Sequence, residues 1–179
     1  MGTQPECDEF ANRFGSVART FCDVVDAAPL LDRSELLVQI YQTLPQLIGE
    51  GIRLPSVELS DNEDPEEETR KSQLRAKARL REEQWRQLYD ALKEKLGDWD
   101  LYWQVFDPTK DQEAIYGSLA DDIADIYRDL NEGLILNDVQ LMPPQDNVWE
   151  WRLGFYSHWG KHAIDALRVI HFLLQEKLE

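Results

Sequence analysis

His158 and His162 stand four residues apart, and Asp165 follows three further on. On a helix that spacing gathers all three within about 60° of arc. An i, i+4 imidazole pair is a spacing that zinc sites use. Upstream, the stretch GSLADDIADIYRDLNEGL (117–134) is a second candidate. Turned at 100° per residue, Asp121, Asp122, Asp125, Asp129 and Glu132 share an arc of about 100° beside an apolar stripe. Asp122 and Asp129 lie at the seam with that stripe, and Asp125 lies further out. The histidine pair lacks a third ligand, and Asp122, Asp125 or Asp129 could supply it. A bound divalent metal would then take Asp122, Asp125, His158 and His162, with its water as nucleophile for hydrolysis.

Each feature also has an ordinary explanation. Asp121 and Asp122 fall in a first helical turn, where the helix dipole favours a carboxylate by roughly 0.3–1 kcal/mol. Arg128 is within surface pairing distance of Asp125. The letters DDIAD match the DDxxD magnesium pattern of prenyl-diphosphate enzymes, but so short an acidic pattern arises readily on an amphipathic helix. Trp159, Gly160 and Lys161 separate the histidines, so there is no HExxH glutamate. Buried imidazoles are commonly satisfied by carboxylates alone. A metal-free His–Asp network is therefore the simpler expectation, and no cofactor is expected. If a site exists, its residues are Asp122, Asp125, Asp129, His158, His162, Asp165 and Trp151, the last beside the histidine band. No GxSxG elbow and no GxxxxGK[ST] loop occurs.

The elements that must position these groups are helical. Phe10, Phe14, Val17, Phe21, Val24 and Ala28 recur at helical steps, with Thr3 as cap and Pro29 closing the segment. A second helix starts at Asp32 with Glu35 as its capping-box partner, meets Pro45, and stops at Gly49 and Gly51. Residues 52–68 carry two prolines and seven acids and read as an acidic, mobile surface loop. A third helix covers 66–96, with Leu74, Ala78, Trp85, Leu88, Leu92 and Leu96 on one face, and Gly97 ends it. Residues 98–118 read as an aromatic-rich connection with one short helical turn. The acidic helix is capped by Ser118, and its stripe is Leu119, Ile123, Ile126, Leu130 and Leu134. A last helix runs from a cap at Asn147 to about Leu178, spanning roughly 46 Å if unbroken. Its apolar arc is so wide that it belongs at the centre. No strand pattern is evident. The expected fold is all-α: one domain over 1–179, an up-and-down bundle of four to five helices with a central C-terminal helix.

The totals bound the function. The net charge of −16 makes nucleic acid an unlikely partner and favours docking to another protein. Mimicry of a nucleic acid is a further alternative. A local basic segment at 70–81 lacks the interleaved aromatics that stack bases. No apolar run approaches the ~20 residues of a membrane span, and the first residues lack a secretory h-region, so a cytoplasmic protein is expected. Cys7 and Cys22, on one helix, would lie roughly 22 Å apart and could not bridge.

VFDPTKD, YGSLADDIADIYRDLNEGL and VWEWRLGFYSHWGKHAIDALRVIH together resemble an uncharacterised bacterial, all-helical family, domain of unknown function 5063. The matching blocks cover about residues 100–172. The resemblance implies that the acidic helix and the Trp–His helix form one unit, and it carries no activity. The leading expectation is a non-enzymatic protein-interaction or accessory module. The alternatives are a metal-dependent hydrolase and an acidic nucleic-acid mimic.

Overall fold

The computed structural model describes residues 4–60, 65–78, 81–105, 107–110, 113–138 and 142–175. The elements are α1 (Gln4–Asp26), α2 (Arg33–Arg53), α3 (Pro65–Ala78), α4 (Glu82–Leu96), strands β1 (Leu101–Gln104) and β2 (Ile115–Ser118), α5 (Leu119–Asp138), α6 (Pro144–Ser157) and α7 (Trp159–Gln175). α5 and α7 pack on each other, with α1 against α5 and α2 against α7. Phe14, Phe21, Leu36, Ile40, Leu44, Leu119, Ile123 and Trp159 are among the fully buried side chains at the centre. Both cysteines lie on α1, buried and unbridged. No described helix is long and apolar enough to cross a membrane.

Several start and stop signals act as the sequence implies. Asp32 accepts from Ser34 N and Glu35 N, and Glu35 returns the bond to Asp32 N, a complete capping box. Gly97 ends α4 at φ +58°, a conformation a β-carbon resists. Ser118 Oγ accepts from Asp121 N at 3.2 Å and caps α5. The expected cap Thr3 and the far end of the last helix lie outside the described residues.

Other expectations need correction. The fold is not purely α: β1 and β2 pair antiparallel, with Tyr102 opposite Gly117 and Trp103 opposite Tyr116. Asp100 fastens this hairpin to α5, since its Oδ1 accepts from Ser118 Oγ at 2.8 Å and Ala120 N at 2.9 Å. The third helix is two. Arg81 is extended (φ −65°, ψ 148°), and α4 restarts at Glu82, where two glutamates in the first turn favour a helix N-terminus. Pro45, Gly49 and Gly51 do not end α2, which continues to Arg53. Gly51 lies where Phe155 and Trp159 press on the helix, and an added Cβ would sit 2.7 Å from Phe155. α6 starts at Pro144 rather than at an Asn147 cap, because proline suits the first helical position.

The last helix is interrupted. His158 has φ −149° and ψ −87°, which separates α6 from α7. Trp159 tucks back so that its Nε1 donates to Trp151 O at 3.3 Å. Gly160 makes the crossing possible: a Cβ there would lie 2.1 Å from Phe155 O. The C-terminal segment is central as expected, but as two helices.

Residues 52 and 53 belong to α2 and residues 65–68 to α3. Between them, Ser60 donates from N and Oγ to Asp146, both at 2.8 Å. Leu54 O accepts from Arg152 at 2.8 Å. Of the basic segment, Arg75 pairs with Glu150 of α6 at 2.7 Å. Residues 61–64 and 79–80 lie outside the described residues, and so does the side chain of Leu74.

Candidate metal centre between α5 and α7

α5 and α7 lie face to face, which brings the acidic arc to the histidines. His158 Nδ1 lies 2.7 Å from Asp129 Oδ2, and His162 Nδ1 lies 2.7 Å from Asp122 Oδ1. Each imidazole is thus held at Nδ1 by its own carboxylate. This leaves both Nε2 atoms turned toward a third carboxylate. Each Nε2 is 3.6 Å from the same atom, Asp125 Oδ2. The three ligand atoms lie within 4.8 Å of one another.

Asp125 is held at its other oxygen. Oδ1 accepts from Trp85 Nε1 at 2.9 Å and pairs with Arg128 Nη2 at 2.9 Å. Oδ2 accepts no hydrogen bond among the described residues, because 3.6 Å exceeds the normal N–H···O range. Asp122 is braced likewise: Tyr102 OH donates to its Oδ2 at 2.6 Å. Gly117, opposite Tyr102 in the hairpin, lets the phenol lie flat, since a Cβ there would fall 2.5 Å from the ring.

Burial and charge shape the electrostatics. His158 titrates above its ordinary value, chiefly because Asp129 binds its ring nitrogen. Burial raises the Asp122 carboxyl, although its bonds to His162 and Tyr102 pull the other way. Asp121 is raised by burial and by neighbouring Asp125. Burial and the adjacent Asp122 push the Tyr102 phenol far up, so it remains a donor at any physiological pH. The side chains of Asp125 and His162 are 12% and 17% exposed, whereas His158 is 38% exposed and opens the cluster to solvent.

The residues read from the sequence divide by role. Asp125, His158 and His162 converge. Asp122 and Asp129 stand behind the imidazoles instead of joining them as ligands. Asp165 turns to Lys161 at 3.0 Å. Trp151 is buried against Phe14 and, with His158 and Asp129, lines a cavity of about 220 Å³ beside the cluster. Asp121, Asp122 and Asp125 do not converge as a DDxxD site: among the described residues the one potential cation group is Asp125–His158–His162. Tyr102 and Trp85 are participants the sequence did not reveal. Each reads as one more aromatic at a helical or connecting position, with no local signal that its polar atom reaches a carboxylate. His171 is elsewhere, bound to Tyr41 OH at 2.9 Å.

The arrangement fits a first-row divalent ion. Zinc bonds of about 2.0–2.1 Å in tetrahedral geometry place ligand atoms roughly 3.3 Å apart. The two Nε2–Asp125 edges are 3.6 Å, and all three ligand atoms lie within 4.8 Å of one another, so the side chains need only draw inward onto an ion. Two imidazoles and one carboxylate favour zinc-like ions over magnesium or calcium, which prefer all-oxygen shells. Ligating histidines characteristically give their other ring N–H to a carboxylate, as Asp122 and Asp129 allow here.

Comparison with known proteins places the chain. Residues 5–176 match the family model described as domain of unknown function (DUF5063), and the chain belongs to this family. The crystal structure of protein BF1032 from Bacteroides fragilis, a structural-genomics target, shares the fold. It superposes with a TM-score of 0.72 at 23% identity, over 93% of this chain and 92% of that one. No curated protein matches.

Proposed function

We propose that this member of a family without assigned function is a metal-dependent protein with a mononuclear zinc-class centre at Asp125, His158 and His162. One observation carries the reading. Three ligand atoms from two helices face one point, while the other polar atom of each ligand is tied to a separate partner. A solvated acidic face would leave such atoms splayed. Both Nε2 atoms face Asp125 Oδ2 from 3.6 Å, beyond hydrogen-bond range, while both Nδ1 atoms are already held by Asp122 and Asp129.

Three protein ligands are the number found where zinc keeps a position for water, whereas structural zinc is closed by four. A bound ion would lower the pKa of that water to near 7, so hydrolysis is the chemistry the centre supports. The neighbouring cavity carries Asp129, Glu132 and Glu150, and its one guanidinium, Arg75, is paired with Glu150. Those acids favour neutral or cationic substrates over phosphoesters.

Calorimetric titration of the metal-stripped full chain with zinc tests the reading. One site per chain is expected, abolished by His162→Ala and weakened by Asp125→Asn. A wild-type chain that takes up no zinc, or a His162→Ala chain that binds as well as wild type, would overturn it.

A further inference from the structure

β1 and β2 form a sheet of two strands, so each has one edge with no strand beside it. The register says which groups that edge carries. Leu119 N donates to Asp100 O at 2.8 Å, one step before Leu101 stands opposite Ser118. In an antiparallel ladder, hydrogen-bonded and non-hydrogen-bonded pairs alternate. Tyr102 and Gln104 therefore direct their backbone groups at Gly117 and Ile115, whereas Leu101 and Trp103 point theirs away from β2. Among the described residues, no hydrogen bond takes up the outward N–H or C=O of Trp103.

A groove of about 870 Å³ runs along β1. Trp103 and Val105 stand on one side, and Phe155, Tyr156 and Ile164 on the other. A hollow of about 180 Å³ extends it past Trp103 to Phe172. Residues of β2 border neither space, so the open edge of β1 is the one that looks into them. Trp103, Tyr156, Ile164 and Phe172 are 60%, 63%, 53% and 57% exposed. Large apolar side chains left open side by side mark an interaction surface. Trp103 is held by Tyr116, the ring centroids being 4.0 Å apart. Charges along the rim cancel: Lys161 pairs with Asp165 at 3.0 Å and Lys110 with Asp107 at 2.8 Å, while Arg168 is exposed to water.

We infer that the groove takes an extended peptide segment of a partner protein, which pairs with β1 as a third strand. The segment carries apolar residues at alternate positions and basic residues at its ends. A row of open backbone donors and acceptors is matched by another backbone, which an apolar small molecule does not supply. Alternate side chains of such a strand point to one face, here the wall of Phe155 and Ile164. The basic ends follow from the whole chain, whose net charge of −16 attracts a cationic partner at long range. A two-stranded hairpin is marginal in water, and a third strand stabilises it. The surface includes none of Asp125, His158 and His162, so the inference is independent of the metal reading.

The test presents a displayed library of random nine-residue peptides to the metal-stripped full chain, and measures the best binder by fluorescence anisotropy. Enriched peptides should alternate apolar residues and end in lysine or arginine. N-methylation at every second peptide residue should weaken binding about tenfold or more, and at the intervening residues leave it unchanged, as a strand paired along one edge requires. Trp103→Ala removes the ring and keeps the outward N–H. Trp103→Pro removes both without touching a bond to β2. The proline chain should bind about three- to tenfold more weakly than the alanine chain, at wild-type circular dichroism. Should the proline chain misfold, the N-methyl pattern still decides. Four results would overturn the inference: no enriched peptide, an acidic consensus, an N-methyl pattern without alternation, or equal binding by folded alanine and proline chains. Sedimentation showing a wild-type dimer that Trp103→Pro dissolves would also overturn it, since a second copy would then occupy the edge.

Discussion

His158 and His162 approach each other edge to face, their ring centroids 4.9 Å apart, across a break in the helix that carries them. An unbroken helix would give the two rings parallel exits along one face. The turn at His158 instead lets each ring reach a different carboxylate with Nδ1 while both Nε2 atoms face Asp125.

The carboxylates behind the imidazoles should therefore set metal affinity without touching the ion. Asp122→Asn and Asp129→Asn are each expected to weaken zinc about 10–100-fold, with the stoichiometry of one site kept. Competition against a chromophoric chelator measures this directly. Unchanged affinity in both variants would mean the imidazoles need no such support.

Tyr102→Phe removes the hydroxyl that donates to Asp122. Hydrogen bonds to charged groups contribute roughly 1.5–3 kcal/mol, so urea unfolding should show a loss of that order. Zinc affinity should fall less than in Asp122→Asn, because the carboxylate that holds His162 remains. A variant as stable as wild type would show that the hairpin does not brace the centre.

Gly160→Ala should destabilise the fold by about 1–3 kcal/mol, since its Cβ would meet the backbone oxygen of Phe155. The sign is informative. In an ordinary helix interior the same change stabilises by roughly 0.8–1 kcal/mol. Zinc affinity should fall with stability, because relief of the clash turns α7 and His162 with it. A stabilised variant would contradict the break at His158.

Cys22 gives a pH dependence of definite sign. Burial pushes its thiol up to about 12 from an ordinary 9.0. Above pH 9 the unfolded thiol loses its proton while the folded one retains it. The unfolded state then binds fewer protons, and stability falls as pH rises, by up to about 1.4 kcal/mol per pH unit between those values. Cys22→Ala should flatten this part of the stability–pH curve. The native thiol should also resist alkylation at pH 8 until the chain is unfolded.

The stripes, the Asp32 capping box, the Ser118 cap and the Gly97 stop were legible because each rests on contacts within a few residues. The acidic face and the i, i+4 histidine pair were each legible for the same reason, but their meeting was not, since 29 and 40 residues separate the paired groups. Which carboxylate faces both Nε2 atoms was not: Asp122 and Asp129 lie nearer the apolar seam, and the choice of Asp125 depends on the rotation imposed at His158. Gly160 was the one local cue to that break, and the long apolar pattern around it outweighed it. The hairpin escaped because each strand has four residues and residues 105–114 separate them without a tight-turn signal. Tyr102 and Trp85 act through polar atoms that reach across 20 and 40 residues of sequence, where periodicity carries no information.

Native mass spectrometry of the full chain, purified and supplied with equimolar zinc, tests the central claim most directly. The expected spectrum shows one ion per chain, absent from His162→Ala and from Asp125→Ala, while both variants stay folded by circular dichroism. A wild-type chain that remains metal-free, and melts at the same temperature with and without chelator, would contradict the account and leave Asp125 as part of an ion-paired surface.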